Sequence, residues 1–453
     1  MKRGLFVAVT ALSTALAFAG GVENKTNMST GYLRNPSRNV ESQRPEAAFY
    51  NIAGTAFMDD GLWIEIGNQF VLKEYTHELD NDTLGPTFKA LNIDTSSSDT
   101  TSVWLYPDVD VVVHKGDFAG FLNFGVYAGG GSLNFDNGSS LIAAKLLSAA
   151  SDAKAAATKY TTLAANGGGT AAQVAAQKYG AVAQAVAGAA SDHSLKVSSI
   201  TYGGELGGAY KFLDDRLSVG GAFRLVYGTQ SMELTSGNAA FKLANGGDSI
   251  GYDAKALGFG AVFGVHARPI DKLNLSVQYS TINKIKYEVD NVKGNMAEGV
   301  GIVDGKKFNT DLPAVLSFGA SYSVIDSLLF SFSFNYYFNK QSEMNSVLGE
   351  NDYNNSFEFA FGTDYKINER VGASLGFAYS KQGTNEDSNS PFSPVLDSIC
   401  IGGGVEIFPV ENLTLTAAGM WVYYFDVEDY KKMFNLSKDL FMTSIGMTYH
   451  LPF

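Results

Sequence analysis

The sequence predicts a closed antiparallel β-barrel of about fourteen strands that spans an outer membrane. Three observations carry that expectation. Bulky apolar residues recur at every second position through the second half of the chain. Tight turns alternate with long polar loops. Past the N-terminus, no stretch approaches the roughly 18 uninterrupted apolar residues of a membrane helix.

The chain opens on Met1-Lys2-Arg3, an apolar run from Leu5 to Phe18, and the small-x-small triplet Ala17-Phe18-Ala19. The run falls short of the ~20 residues a spanning helix needs, so residues 1–19 read as a cleaved secretory signal with Gly20 as the first mature residue. Aromatic residues then make up 13% of the chain and charged residues only 17%, a balance that suits a membrane barrel or an exported all-β protein. The net charge of −13 excludes nucleic acid as a partner, since phosphates need a basic surface. The single cysteine, Cys400, rules out an intrachain disulfide and reads as a small packing residue.

Residues 20–60 do not read as a spanning strand. They are polar, carry Arg34, Asn35-Pro36, Arg38 and Arg44, and end in the small-residue run Ala47 to Ala56. Such a segment either trails into the periplasm or folds back into the lumen as a plug, and composition leaves both open.

The barrel itself, 61–453, is expected as strands Gly61–Tyr75, Val103–His114, Asp117–Phe135, Ser198–Phe212, Arg216–Leu234, Asp253–Ala267, Lys272–Val289, Pro313–Ser323, Ser327–Asn339, Ser356–Tyr365, Arg370–Ser380, Leu396–Phe408, Asn412–Phe425 and Asp439–Leu451. Leu328, Phe330, Phe332, Phe334, Tyr336 and Phe338 form one bulky stripe, opposed by Ser331, Ser333, Asn335 and Asn339. Phe357, Phe359, Phe361 and Tyr365 form another, and Leu413, Leu415, Trp421, Tyr423 and Phe425 a third. The second face is Gly, Ser and Ala rather than Lys and Glu, so bulky residues should meet lipid and small ones an enclosed interior. Turns such as Phe212 to Asp215, Arg268 to Asp271 and Phe408 to Glu411 are short and rich in Asp and Pro. The opposite ends carry long loops: Thr235 to Tyr252, Asp290 to Thr310, Lys340 to Asn354, Lys381 to Pro394 and Asp426 to Lys438. Closure is required because hydrocarbon offers no partner for an unpaired backbone edge.

The longest insertion, 140–193, is Ala-rich on both sides of Asn166-Gly167-Gly168-Gly169. Ala favours helix and Gly breaks it, so two helices joined by a turn should cap the outer end. Leu141, Ile142, Leu146 and Leu147 are the candidate floor of an outer groove that captures a greasy ligand, the alternative being a low-complexity shield. At the other end of the chain, Ile445, Met447, Tyr449, Leu451 and Phe453 alternate up to a terminal Phe, which resembles the signal read by outer-membrane barrel assembly machinery.

Tyr50-Asn51-Ile52-Ala53-Gly54-Thr55-Ala56, followed by Gly61-Leu62-Trp63, resembles the N-terminal hatch of the FadL-like outer-membrane long-chain fatty acid transporters, a family that includes importers of aromatic hydrocarbons. That family has Asn-Pro-Ala-Gly there; this chain has Asn51, Ile52, Ala53 and Gly54, with Ile in place of Pro. Gly125-Val126-Tyr127-Ala128-Gly129-Gly130-Gly131-Ser132 gives a second match. The resemblance implies a fourteen-stranded barrel, a lumenal hatch and uptake of hydrophobic small molecules. It also implies a kink in the third strand. Gly129, Gly130 and Gly131 are suited to one, because glycine tolerates the backbone twist that breaks pairing with a neighbour and opens a side window. Their other reading is the start of the outer loop.

Catalytic patterns are wanting. The five histidines are scattered, and no His-Glu-x-x-His or paired-Cys motif appears. Gly372-Ala373-Ser374-Leu375-Gly376 lies within an expected strand, not at the strand-to-helix elbow that exposes a nucleophile. Glu358, Asp364 and Arg224 fall on expected inward faces and read as lumenal ion pairs rather than a proton-linked site. The expectation is therefore a monomeric, non-enzymatic barrel, without cofactor or metal, that passively takes up hydrophobic molecules such as long-chain fatty acids. Its partners are that ligand and outer-membrane lipid. A diffusion porin for polar solutes and a surface adhesive barrel are the alternatives.

Overall fold

The computed structural model describes residues 27–347, 353–384, 395–430 and 433–453. The expected signal peptide lies outside them, as do the start of the N-terminal segment (20–26) and parts of three long loops. Fourteen antiparallel staves form the wall. They are β1 Gly61–Leu79, β2 Ser96–Lys115, β3 Phe118–Phe135, β4 Ser194–Phe212, β5 Leu217–Thr235, β6 Ser249–Ile270, β7 Leu273–Ser280 resuming as Lys284–Lys293, β8 Val315–Ile325, β9 Leu328–Tyr337, β10 Ser356–Asn368, β11 Val371–Lys381, β12 Ser398–Val410, β13 Leu413–Tyr424 and β14 Phe434–Leu451. The sheet closes where β1 pairs with β14, from Leu62↔Leu451 to Leu79↔Phe434.

The bulky stripes face outward. Phe332, Phe361, Phe377, Ile401, Trp421, Phe441 and Leu72 stand opposite one another in unbroken register from β9 through β14 to β1. Phe332 and Phe361 place their ring centroids 4.9 Å apart. Transfer of each such side chain into hydrocarbon contributes about 1.5–3 kcal/mol. The rows on either side point inward: Ser333, Ala360, Ala378 and Cys400, and Ser331, Gly362, Gly376 and Gly402. Cys400 is thus one buried member of a small-residue row.

Two sequence expectations change. The seventh strand is not continuous from Lys272 to Val289 but breaks between Ser280 and Lys284. In the register fixed by Ser280↔Val315 and Asn283↔Leu312, Pro313 falls opposite Ile282, and proline has no N–H to donate to a ladder. The rule of small residues inside also holds only for the half of the barrel beside the short turns. Towards the long loops, Val71, Tyr75, Leu79, Met232, Leu234, Tyr252 and Tyr287 are large, apolar and buried in the interior.

Candidate functional site

Residues 27–58 lie inside the wall. Helix α1, Thr30–Arg34, is capped by Ser29, which accepts from the Tyr32 N–H and donates to Glu46. Helix α2, Ala47–Tyr50, and the 3-10 turn Ile52–Phe57 follow. The inward glycines exist to admit this backbone. A Cβ on Gly376 would lie 2.5 Å from Pro36 Cδ, and Cβ atoms on Gly362 and Gly402 would overlap Asn35 and the Leu33 carbonyl.

Two wall carboxylates hold the segment. Asp364 on β10 accepts from Arg34 at 2.5 Å and from Arg38 at 3.1 Å, while Glu406 on β12 pairs with Arg44 at 2.8 Å and Arg34 at 3.5 Å. Ser374, the serine of the Gly-x-Ser-x-Gly match, donates to Asp364 at 2.6 Å and is a member of this network. Burial works against the Arg38 charge, but Asp364 and Glu46 outweigh it and hold the guanidinium above its ordinary pKa. Burial pushes the Glu46 carboxyl up, against the pull of Arg38.

Asn51, Ile52, Ala53 and Gly54 are tied to the wall and to their own segment by a series of hydrogen bonds, although the Asn51 Oδ1 is buried without a partner. Asn51 donates to the Glu41 carbonyl and to His266 Nδ1, both at 2.8 Å. Gly54 N–H donates to the Asn51 carbonyl at 2.8 Å. The Ala53 carbonyl accepts from Ser218 at 2.6 Å. Ile52, fully buried among Ala48, Val112, Phe121 and Val262, donates its backbone N–H to Gln278 Oε1 at 2.9 Å. A proline there has no such donor, so the departure from the Asn-Pro-Ala-Gly pattern supplies a hydrogen bond to the wall.

Above the segment the lumen changes character. Tyr127, Tyr252, Tyr287, Phe308, Leu312 and Met420 join one apolar cluster with Met28, Tyr32, Leu33 and Tyr50 of the segment below. Tyr287 stacks on Phe308 with centroids 5.4 Å apart. The same cluster continues outward into the cap. After the short helix α3, Gly85–Ala90, helix α4, Ser140–Leu163, starts on Ser139, and α5, Gly169–Ala190, turns back after Gly167, at φ +94°, as the sequence predicts. Leu141, Ile142 and Leu146 are buried at 2% exposure or less, and Leu147 is half-buried. As they stand these residues are a packed seal between cap and barrel, not an open groove floor. Beneath, Phe49, Tyr50, Tyr127, Arg224, Leu312 and Tyr337 line a cavity of about 80 Å³. That holds a few waters and no acyl chain or aromatic ring, which needs on the order of 150 Å³.

The wall has a seam beside this cavity. Ladder pairing of β2 with β3 runs from Lys115↔Phe118 to Val109↔Phe124. Beyond it β2 stays on β1 and β3 stays on β4, whose register shifts between Val126 and Ala128 and again between Gly129 and Gly131. Gly129 and Gly131 both sit at φ +85°, and a Cβ on Gly129 would lie 2.3 Å from the Ser199 carbonyl oxygen, so both require glycine. Side chains cross where the ladder stops: Tyr106 donates to the Val126 carbonyl at 3.3 Å and Lys73 to the Gly130 carbonyl at 2.6 Å. Trp104 and Leu105 on the facing edge are exposed. Lys73 and Tyr106 escape sequence reading, because nothing in the chain says that two strands part above them.

Of the expected ion groups, Arg224 pairs with Glu205 at 2.6 Å and Asp364 with the arginines, while Glu358 accepts from Asn335 at 3.3 Å. The arrangement sets a largely apolar outer lumen above a polar segment pinned to the wall.

The model of a family described as "Outer membrane protein transport protein (OMPP1/FadL/TodX)" matches residues 170–427. No curated protein matches at a significant level. Among solved structures, a Pseudomonas aeruginosa FadL homologue is similar, with TM-score 0.63, 16% identity, and coverage of 95% of this chain and 99% of that one. The Pseudomonas putida toluene transporter TodX gives TM-score 0.59 and 14% identity over 96% and 99% of the two chains. The Ralstonia pickettii toluene transporter TbuX gives 0.56 and 12% over 92% and 98%. At these identities the likeness is one of fold.

Proposed function

The chain belongs to the OMPP1/FadL/TodX family of outer membrane transport proteins, and from that premise we propose that it carries hydrophobic small molecules, such as long-chain fatty acids or single-ring aromatics, passively inward. The observation that carries this reading is the division of the lumen: an outer half lined by Tyr75, Met232, Tyr252 and Tyr287 ends on a polar segment clamped by Asp364 and Glu406. An apolar lining binds an apolar ligand by removing its surface from water, at about 25 cal/mol per Å². The buried Lys73, His77 and Lys438 among these side chains leave it few partners for a hydrated sugar or ion.

On this reading the ligand enters where Leu141, Ile142, Leu146 and Leu147 seat the cap, so α4 must lift for capture. It descends the apolar half to the cavity at Tyr127 and leaves sideways through the seam, between Trp104-Leu105 and the Gly129–Gly131 turn. Sideways exit keeps the polar segment, our hatch, in place and delivers the ligand to lipid. The chain acts as a monomer, assembled through its last strand and Phe453. A porin for polar solutes fits the pinned segment and the small cavity poorly.

The experiment is uptake by the Gly129→Val/Gly131→Val protein. Branched side chains at φ +85° force the strand to re-form, so uptake of a labelled fatty acid or of toluene should fall severalfold with the barrel still inserted. Undiminished uptake overturns exit through the seam and leaves the apolar lumen standing.

A further inference from the structure

One cluster on the inner wall is idle in transport. Glu65 on β1 stands directly opposite Asp110 on β2, and Asp108 stands opposite Gly67, so all three side chains share the lumenal face. Their ligand oxygens lie within 4.8 Å of one another, and all three residues are buried. Like charges directly opposite on a sheet repel, and burial removes the water that would screen them. The protein compensates only in part. Thr448 donates to Glu65 at 3.0 Å and Asn123 to Asp110 at 2.8 Å. Both oxygens of Asp108 and Oδ2 of Asp110 are buried with no hydrogen-bond partner in the protein. Among the described residues no lysine or arginine pairs with any of the three; Arg44 is held by Glu406 and Arg224 by Glu205.

We propose that Glu65, Asp108 and Asp110 bind a hard divalent cation of the calcium type. The unpartnered Asp108 carboxylate is the observation that points to a ligand: an acidic cluster alone could be solvated or bridged, whereas this group is buried, aimed into the cluster and given no donor. The set is all oxygen, which selects hard cations. Calcium takes oxygens at about 2.3–2.6 Å and so holds ligands up to about 5 Å apart, against about 4.2 Å for magnesium. The 4.8 Å spread suits the larger ion.

The surroundings are built around the site. A Cβ on Gly67 would lie 2.5 Å from both Asp108 carboxylate oxygens, so glycine there lets the carboxylate fold flat on the wall. Thr30 of the N-terminal segment packs over Gly446, the partner of Gly67, and its hydroxyl also lacks a partner. The neighbouring rung, Val109↔Phe124, is the last before the seam. A cation here ties the lip of the seam to the lumenal segment.

The test is equilibrium dialysis of the purified protein in detergent against calcium after chelator treatment, beside an Asp108→Asn/Asp110→Asn variant. The wild type should bind about one calcium per chain more than the variant, and calcium should raise its heat-unfolding midpoint by several degrees while leaving the variant's unmoved. Magnesium at equal concentration should do less. Equal calcium binding by the two proteins, including none by either, overturns the proposal. Should the double variant fail to insert, Glu65→Gln serves, and a calcium-free wild type at millimolar calcium overturns it without any variant. A protonated-carboxyl infrared band that calcium does not remove also overturns it, since protons then neutralise the cluster.

Discussion

Removing the Asp364 carboxylate, by Asp364→Ala, should release the lumenal segment without unfolding the barrel. Arg34 and Arg38, with side chains 5% and 3% exposed, both lose a partner, at 2.5 and 3.1 Å. Breaking a buried ion pair from one side costs about 3–5 kcal/mol, because the remaining charge stays out of water. Glu406, Glu41 and Glu46 still face the two guanidiniums, so the lower figure applies. About 3 kcal/mol corresponds to roughly a hundredfold rise in the population with the segment free, at 1.4 kcal/mol per tenfold. The outward rows and the β1–β14 closure are untouched, so the folded barrel should migrate as before. Trypsin reads the segment directly, since it cleaves after Arg34 and Arg38 only when they leave the lumen (Arg44 precedes Pro45 and resists it). Cleavage should accelerate tens- to hundredfold, and planar-bilayer conductance should become frequent rather than rare. Cleavage within twofold of wild type would refute the claim that these ion pairs hold the segment.

Ile52→Pro should cost about 1 kcal/mol by deleting the N–H that reaches Gln278, seen as a roughly fivefold faster cleavage of the segment; unchanged cleavage would show that bond to be idle. Gly362→Val should block seating of Asn35 and leave an inserted barrel with steady conductance, where the wild type is expected to open only rarely; equal conductance would contradict it. His193 anchors the cap base, with its Nε2 accepting from Ser139 N–H and its Nδ1–H donating to the Ala189 carbonyl, and burial lowers its pKa. A buried neutral histidine stabilises above the unfolded pKa, about 6.5, and that support is lost as pH falls towards the lowered folded value. Amide exchange at 139–143, corrected for intrinsic rate, should therefore quicken below about pH 6, and pH-independent protection would contradict it.

Much of the wall was legible because a strand's period of two is visible wherever one face meets lipid and the other a narrow space, as in Leu328 to Phe338. The same rule misled in the outer half. There Val71, Tyr75 and Tyr287 face inward and are as bulky as their outward neighbours, and periodicity alone cannot say that an interior is greasy. Asn51 to Gly54 stood out in the sequence, but what ties the segment to the wall did not. Asp364 lies hundreds of residues from Arg34, and only the closed register brings them together. Gly129 and Gly131 announced an irregular backbone; that β2 and β3 part company there depends on Val109↔Phe124 being the last rung. Leu141, Ile142 and Leu146 carried the right signal for packing, and their burial followed from a cap seated closer than a groove requires.

The apolar outer half of the lumen should pass hydrophobic molecules while the pinned segment stops polar ones. This is tested most directly by measuring, in cells lacking their own importers, uptake of labelled oleate and toluene beside a labelled disaccharide, with and without this protein. A severalfold gain is expected for the hydrophobic tracers and none for the disaccharide. A gain for the sugar alone would contradict it.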